Sequence, residues 1–449
     1  MNTNEKITII GGGPVGSLFS IYLSMNGYEA EVFEKREDPR KVKHTEGRSI
    51  NLALSHRGIR ALKEVGLDEE IKKKAVPMKG RMIHDEKGKQ TFQPYGEKHQ
   101  MIYSVERKKL NEALIDKAEK SGKVKFYFQS ICSSADPDSG KISVEKNNAT
   151  SFINTEVLFA ADGAFSNVRN SFSGFADFVA ETEKLSHSYK ELHMNPDKKG
   201  SYKMEPYALH IWPREKFMLI ALPNIDGSFT CTLFLPEEGQ NSFKEIKDRK
   251  DVIAFFGKYF PDVISLMPDL PDNYFSHPES SLHTLHCFPW HYNKTLLIGD
   301  AAHAITPFYG QGMNAGFEDC RILNEIIKNK NGDWKSIFKE FESVRKPNAE
   351  AIAELALRNF IEMRDLVADE KFLLRKKIEA RIHERNPSWL PLYSMVTFTD
   401  IPYRDALLKG QEQDSLMEKI MKIPAIEKKW ETEEVWEEIE KILKSELHL

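Results

Sequence analysis

Residues 6–34 read KITIIGGGPVGSLFSIYLSMNGYEAEVFE. Lys6 to Ile10 is a short β-branched run, the pattern of a buried strand. Glycines at 11, 12, 13 and 16 follow at once, with Pro14 and Val15 between them. Ser17 to Met25 places Leu18, Ile21, Tyr22 and Met25 on one stripe, which predicts a helix. Glu29 to Phe33 predicts a second strand, with Glu34 at its end. Strand, glycine turn, helix, strand and acid in this order form a dinucleotide-binding unit, in which Gly11, Gly13 and Gly16 fit G-x-G-x-x-G. One glycine makes the tight turn, one lets the backbone approach a pyrophosphate, and one lets helix pack on strand. The pyrophosphate is expected on the helix N-terminus, where free N–H groups favour an anion. Glu34 is expected to accept ribose hydroxyls. The motif alone does not separate FAD from NAD.

The rest of the chain sets bounds on that unit. Its 449 residues allow two or three domains, and 40% hydrophobic content can build their cores. A net charge of −4, with Lys and Arg spread evenly, gives no sign of nucleic-acid binding. Cys132, Cys231, Cys287 and Cys320 lie far apart, so neither a metal site nor a disulfide framework is expected. A strand at the very start and the lack of about 18 consecutive apolar residues predict a cytoplasmic protein without membrane spans.

Ser55 has the place of an N-cap for a helix from Arg57 to Glu64 that stops at Gly66. Residues 78–104 read as short antiparallel strands around Lys87-Gly88 and Tyr95-Gly96 turns. Leu110 to Lys120 is an amphipathic helix. Val124 to Phe128, Glu156 to Ala160 and Thr295 to Ile298 are strands. Phe217 to Leu222 and Phe229 to Leu235, around Asp226-Gly227, predict a hairpin in a second, antiparallel domain. From Pro347, suited to a first helical turn, the chain reads as helical and charged. The fold class is therefore α/β: a Rossmann-type domain, a β-sheet substrate domain and a C-terminal helical region. The expected boundaries are 1–77, 105–175 and 286–345 for the first, 78–104 and 176–285 for the second, and 346–449 for the third.

Two further stretches stand beside the glycine turn. One is Asp162-Gly163-Ala164-Phe165-Ser166, ahead of Arg169. The other is Gly299-Asp300, followed by Pro307-Phe308-Tyr309-Gly310-Gln311-Gly312-Met313-Asn314. A carboxylate at 300 can accept from a ribityl hydroxyl, and the glycines let main-chain N–H groups face a flavin ring. In this order the three stretches resemble the single-component FAD-dependent aromatic-ring monooxygenases. No second G-x-G-x-x-G is present, which fits the group whose NADPH binds only transiently. Within that group, GRSINLALSHRG (47–58), LHIWPR (209–214), GDAAHAITPFYGQGMNAGFEDC (299–320) and PLYSMVTF (391–398) resemble the kynurenine 3-monooxygenase family.

The resemblance implies bound FAD, NADPH as transient co-substrate, O2, and L-kynurenine as the substrate hydroxylated through a flavin C4a-hydroperoxide. It places FAD at Gly11, Gly13, Val15, Gly16, Glu34, Lys35, Arg36, Ala53, Arg107, Asp162, Asp300, Met313 and Asn314. It places a substrate clamp at Arg81, Tyr95, Asn359 and Tyr393, and an apolar wall at Ile220, Leu222, Phe234, Phe308 and Met363. It supplies no catalytic acid or base, since the aniline nitrogen already activates the ring. Asn359 has an argument of its own. It falls on an apolar helical stripe of Ile352, Leu355, Ala356, Met363 and Leu366, where an amide must be paired. Nearby backbone or a pocket ligand would each satisfy it. His303 reads as structural. A hydroxylase of another aromatic acid and a non-catalytic flavin-fold binding protein are the rival readings. Animal and fungal members of the family carry a C-terminal membrane anchor, whereas residues 412–449 here are charged and amphipathic, as in the bacterial members. Monomer and homodimer are equally compatible.

Overall fold

The computed structural model describes residues 5–42, 51–97, 99–366 and 369–447. Residues 47–50 of the GRSINLALSHRG stretch and the side chain of Leu366 lie outside the described set. Among the described residues, strand Ile7–Ile10 is fully buried and pairs in parallel with Ala30–Phe33 on one side and Val157–Ala160 on the other. A six-stranded sheet grows from it, with Val124–Tyr127 at one edge and Thr295–Leu297 and His291–Tyr292 at the other. The near-continuous apolar runs of its central strands are what a sheet covered on both faces requires. Helices Pro14–Met25, Arg107–Glu119 and Gly312–Lys330 supply the cover, and their apolar faces merge with the strands into one core.

The second sheet has seven strands and reaches from Glu279–Phe288 at one edge to Gln90–Pro94 at the other. Its centre is the expected hairpin, Phe217–Pro223 against Phe229–Pro236. Strict alternation separates its faces. Leu219, Ala221, Cys231 and Leu233 pack on the helices between Arg249 and Ser276. Met218, Ile220, Leu222 and Phe234 point the other way. The strand Gly80–His84 joins this sheet in parallel with Ala208–Arg214. The strand Ile102–Glu106 does not. It pairs with Asn51–Leu54 and Ala75–Met78 in a small sheet between the two larger ones. The long strand Val179–Met194, which the sequence did not signal, carries both edge and centre pairings.

The chain then turns helical well before Pro347. One helix runs from Trp334 to Ile361, capped by Asp333, whose carboxylate accepts from the Ser336 N–H. Pro347 sits inside it, which corrects the expected helix start. An interior proline costs about 3 kcal/mol. Here the helix buries both flanks of Pro347, with Phe338, Phe341 and Arg345 before it and Ile352, Leu355 and Ala356 after it. The amide of Asn348 also donates to the Val344 carbonyl at 2.8 Å, one turn back. Past Ile361 the pitch widens to a π turn over Glu362–Leu366. Of the remaining helices, Glu370–Arg385, the end of Tyr403–Ile420 and Glu433–Leu447 form their own core around Ile378, Met417 and Trp436, while Leu392–Phe398 packs on the long helix at Ile352 and Leu355. Among the described residues no helix is long and apolar enough to cross a membrane.

Candidate active site

The glycine turn divides its work by position. Gly11 has φ +103°, and a Cβ there would lie 2.3 Å from the Ala161 carbonyl oxygen. A Cβ on Gly16 would lie 2.0 Å from the Gly11 carbonyl oxygen, so this glycine lets the helix meet the strand. Gly13 meets nothing within 4 Å and borders the main cavity. The helix from Pro14 has no side-chain cap and no acid in its first turn, so its first N–H groups remain for a ligand. Glu34 is buried at the end of the second strand. Its carboxylate accepts from the N–H groups of Gly12 at 2.8 Å and Arg36 at 2.9 Å. Lys35 and Arg36 are exposed beside it.

The other two flavin-like stretches meet beside this turn. Arg169 donates to the carbonyls of Ala164 at 2.7 Å and Ala301 at 3.0 Å, which ties the Asp162-Gly163 loop to the Gly299-Asp300 loop. Asp162 gives one oxygen to the Val168 N–H, while its Oδ1 is buried without a partner among the described residues. Burial raises its carboxyl above the ordinary value, and burial does the same for Asp300, which opens onto the cavity. Burial, and then the neighbouring Arg36, lowers the Arg107 guanidinium. An uncapped helix N-terminus, an orphaned carboxylate oxygen and an aspartate facing a void fit a polyhydroxylated dinucleotide. The residues present can therefore hold FAD.

His303, expected to be structural, is buried and has a partner that the sequence did not place, Asp319. The His303 ring lies 2.6 Å from the Asp319 carboxylate, which also accepts from the Gly299 N–H at 3.1 Å. Asn314 does not line the cavity. Its amide donates to the carbonyls of Ala53 and Gly310, both at 2.8 Å, and its oxygen accepts from the Ser55 N–H. Ser55 holds the expected cap position, but its hydroxyl turns to Gln311 instead of capping the helix His56–Glu64. Ala53, Val15, Met313, Arg107 and Asp300 do line the cavity, whereas Gly11, Gly16, Glu34 and Asp162 are not among its lining residues.

The same cavity, of about 460 Å³, receives all nine residues expected around the substrate. Ile220, Leu222, Phe234 and Phe308 form an apolar wall, with the Phe234 and Phe308 rings 5.0 Å apart. Met363 borders it from the π turn. Tyr393 stacks between Tyr95 at 5.5 Å and Tyr309 at 5.4 Å, and the Arg81 guanidinium lies 4.7 Å above its ring. Burial raises all three phenols, so they are neutral donors. The Tyr95 hydroxyl and the Arg81 Nε have no hydrogen-bond partner among the described residues. Asn359 takes the backbone reading of its amide and leaves the pocket-ligand reading open. Its Nδ2 donates to the Phe308 carbonyl at 2.7 Å, and the residue borders the cavity.

One group here has no counterpart in the sequence reading. Arg81 donates to Glu362 at 3.2 Å, and Lys376 stands 3.9 Å from the same carboxylate. Burial works against that charge, but Lys376 and Arg81 outweigh it and lower the Glu362 carboxyl. Glu362 follows Asn359 by three residues, so helical spacing could have placed it on the same face. Tyr309, beside Phe308 in the same loop, also lines the cavity, and the loop has no periodicity that would single it out.

The sequence matches the FAD binding domain family over residues 4–356. A kynurenine 3-monooxygenase of Cytophaga hutchinsonii is 51% identical over 437 residues, 96% of this chain and 97% of that protein. That of Flavobacterium psychrophilum is 47% identical over 99% of this chain and 100% of its own length, and that of Sus scrofa 41% identical over 92% and 88%. Among solved structures, 2-methyl-3-hydroxypyridine-5-carboxylic acid oxygenase superposes with a TM-score of 0.67 at 18% identity, covering 81% of this chain and 93% of its own. The p-nitrophenol 4-monooxygenase of Pseudomonas putida superposes with a TM-score of 0.66 at 18% identity, covering 92% and 98%. At that identity these two speak to the fold. Fold and family match together define the class: an FAD-dependent monooxygenase. Within it, the chain belongs to the kynurenine 3-monooxygenase family.

Proposed function

We propose that the protein hydroxylates L-kynurenine to 3-hydroxy-L-kynurenine, consuming NADPH and O2. FAD, when bound, supplies the reduction by NADPH and the activation of oxygen; the protein supplies position and a dry site. Gly13 and the first N–H groups of the helix from Pro14 would hold the pyrophosphate, and Asp300 and Arg107 the ribityl and ring end. Arg81, Tyr95 and Tyr393 would take the substrate carboxylate. The unpartnered Nε of Arg81 and hydroxyl of Tyr95 are donors already desolvated before any ligand arrives, so an anion there restores hydrogen bonds that burial removed. Ile220, Leu222, Phe234 and Phe308 would hold the aromatic ring and exclude water from the reacting carbon.

The observation that carries this reading is the single cavity shared by the flavin-like stretches and the Arg81–Tyr95–Asn359–Tyr393 cluster. The test is incubation of FAD-loaded protein with NADPH, air and L-kynurenine, with mass detection of products. The expected result is 3-hydroxykynurenine and kynurenine-dependent NADPH consumption. Fully flavinated protein that hydroxylates another aromatic acid and leaves kynurenine intact would favour the sister-hydroxylase reading.

A further inference from the structure

Behind the substrate sheet, on the face away from the cavity, two histidines form a buried chain. His84 Nδ1 lies 3.1 Å from Asp262 Oδ2, His84 Nε2 lies 2.8 Å from His210 Nδ1, and His210 Nε2 lies 2.8 Å from the Glu205 carbonyl oxygen. Both rings are essentially inaccessible, at 1% and 0% exposure. The two outer atoms can only accept: one is a backbone carbonyl, and the other is a carboxylate oxygen that also receives the Trp212 indole N–H at 2.8 Å. Each of the three links therefore needs one hydrogen on a ring nitrogen. Two neutral imidazoles carry two between them. Were both rings neutral, one link would set two lone pairs against each other on buried rings, where an unmade hydrogen bond is costly.

We propose that His84 and His210 hold a third proton at neutral pH, balanced by Asp262, and that this charged chain positions Arg81 for substrate. The assignment of Arg81 to the substrate rests on the function proposed above. Burial lowers His210 to about 4, and the Asp262 carboxylate lies at the other end of the chain, 3.1 Å from His84 Nδ1. Burial works against the charge of Asp262, but hydrogen bonds from His84 and Trp212 hold its carboxyl below the ordinary range. Arg214, Asp85 and Glu86 are the other charged groups beside the pair, and the Arg214 guanidinium also acts on the Asp262 carboxylate. Arg214 donates to the carbonyls of His84 at 3.0 Å and Asp85 at 3.2 Å, with Glu86 nearby.

The link to Arg81 is the strand. Gly80–His84 pairs with Ala208–Arg214 in parallel, Arg81 opposite Leu209 and Met82 opposite His210. Alternation puts Arg81 on the cavity face and His84 on the back face of this one short strand. The histidine chain thus bolts the far end of the strand to its neighbour and to the helix Pro261–Leu266, which carries Asp262. Loss of the third proton releases that end and lets Arg81 drift.

The sign follows from the proton count. The chain is complete only while the two rings share three protons, and it loses a link when rising pH removes the third. The experiment is nitrogen NMR of histidine-labelled holoenzyme, with His84→Gln and His210→Gln for assignment, beside the Michaelis constant for kynurenine across neutral to alkaline pH. The expected spectrum has three ring N–H groups in the pair at neutral pH. Asp262→Asn is expected to remove one of them and to raise the Michaelis constant about three- to ten-fold at neutral pH, the scale of a weakened charge-assisted hydrogen bond, with kcat nearly unchanged. Two ring N–H groups in the wild-type pair at neutral pH would overturn the proposal. So would a third proton whose removal leaves the Michaelis constant untouched while Arg81→Ala raises it. An unaltered Michaelis constant in Arg81→Ala itself would overturn the functional half of the proposal through the clamp, with the proton count still read from the spectrum.

Discussion

A guanidinium survives inside the cavity wall at residue 81 because it has a ring beneath it and a carboxylate beside it. Tyr393 and Glu362 offset the cost of burial, yet Nε remains unpaired among the described residues. Truncation deletes one charge-assisted hydrogen bond to a bound carboxylate, about 1.5 to 3 kcal/mol, or roughly ten- to a hundred-fold in affinity. Arg81→Ala is expected to raise the Michaelis constant for kynurenine by that order with flavin content intact; steady-state kinetics and the absorbance of the purified variant check both halves. Asn359→Leu is a sharper case, since its amide donates to the Phe308 carbonyl as well as facing the cavity. Weaker substrate binding is expected in a folded variant whose melting temperature is lowered by the lost Phe308 hydrogen bond, and a variant as active as the parent would return Asn359 to a purely structural role. Gly13 allows a third test. Its backbone has an ordinary φ of −73° and space around it, so Gly13→Asp is expected to fold. The new carboxylate would occupy the pyrophosphate approach, so the variant should be purified without flavin; normal flavin content would remove Gly13 from the cofactor site. These roles had uneven sequence signals. Glycine spacing reports backbone geometry and was readable directly. Arg81 and Tyr95 look like any buried arginine or tyrosine until family likeness singles them out.

At the scale of elements, the helix Gly312–Lys330 is held by charge rather than by apolar packing alone. Arg345, from the long helix, donates to Glu318 at 2.6 Å and Asp319 at 2.7 Å, and Arg57 pairs with Glu318 from a third helix. All four groups are buried. Removing one partner of such a set strands the other charges. Arg345→Met is therefore expected to lower stability by about 3 to 5 kcal/mol, read by chemical denaturation of the holoenzyme. A loss under about 1 kcal/mol would class the network with surface pairs. Because Asp319 also holds Gly299 and His303, flavin affinity should fall with it. Periodicity found the elements but not this network. It finds faces, while ion pairs between residues 57, 318 and 345 depend on how distant helices cross. The same limit explains Pro347. Local propensity predicts a helix start there, and burial on both sides of the proline overrides it.

At the scale of the whole molecule, the order of strands, glycine turn and helices was legible because the nucleotide-binding sheet forms from consecutive, strongly patterned segments. The strand Val179–Met194 was not, since its first half is exposed and polar and gains its place only through its neighbours. We propose that the helical region beyond residue 346 closes the substrate side of the cavity, because Asn359, Met363 and Tyr393 all reach it from there. The central claim is that one cavity brings an aromatic amino acid to activated oxygen. The most direct measurement is turnover of L-kynurenine with NADPH under isotopically heavy dioxygen, with mass analysis of the product and assay of hydrogen peroxide. The account predicts 3-hydroxykynurenine carrying a single heavy oxygen atom on the ring, with little peroxide. NADPH oxidation that leaves kynurenine unlabelled and releases all the oxygen as peroxide would contradict it.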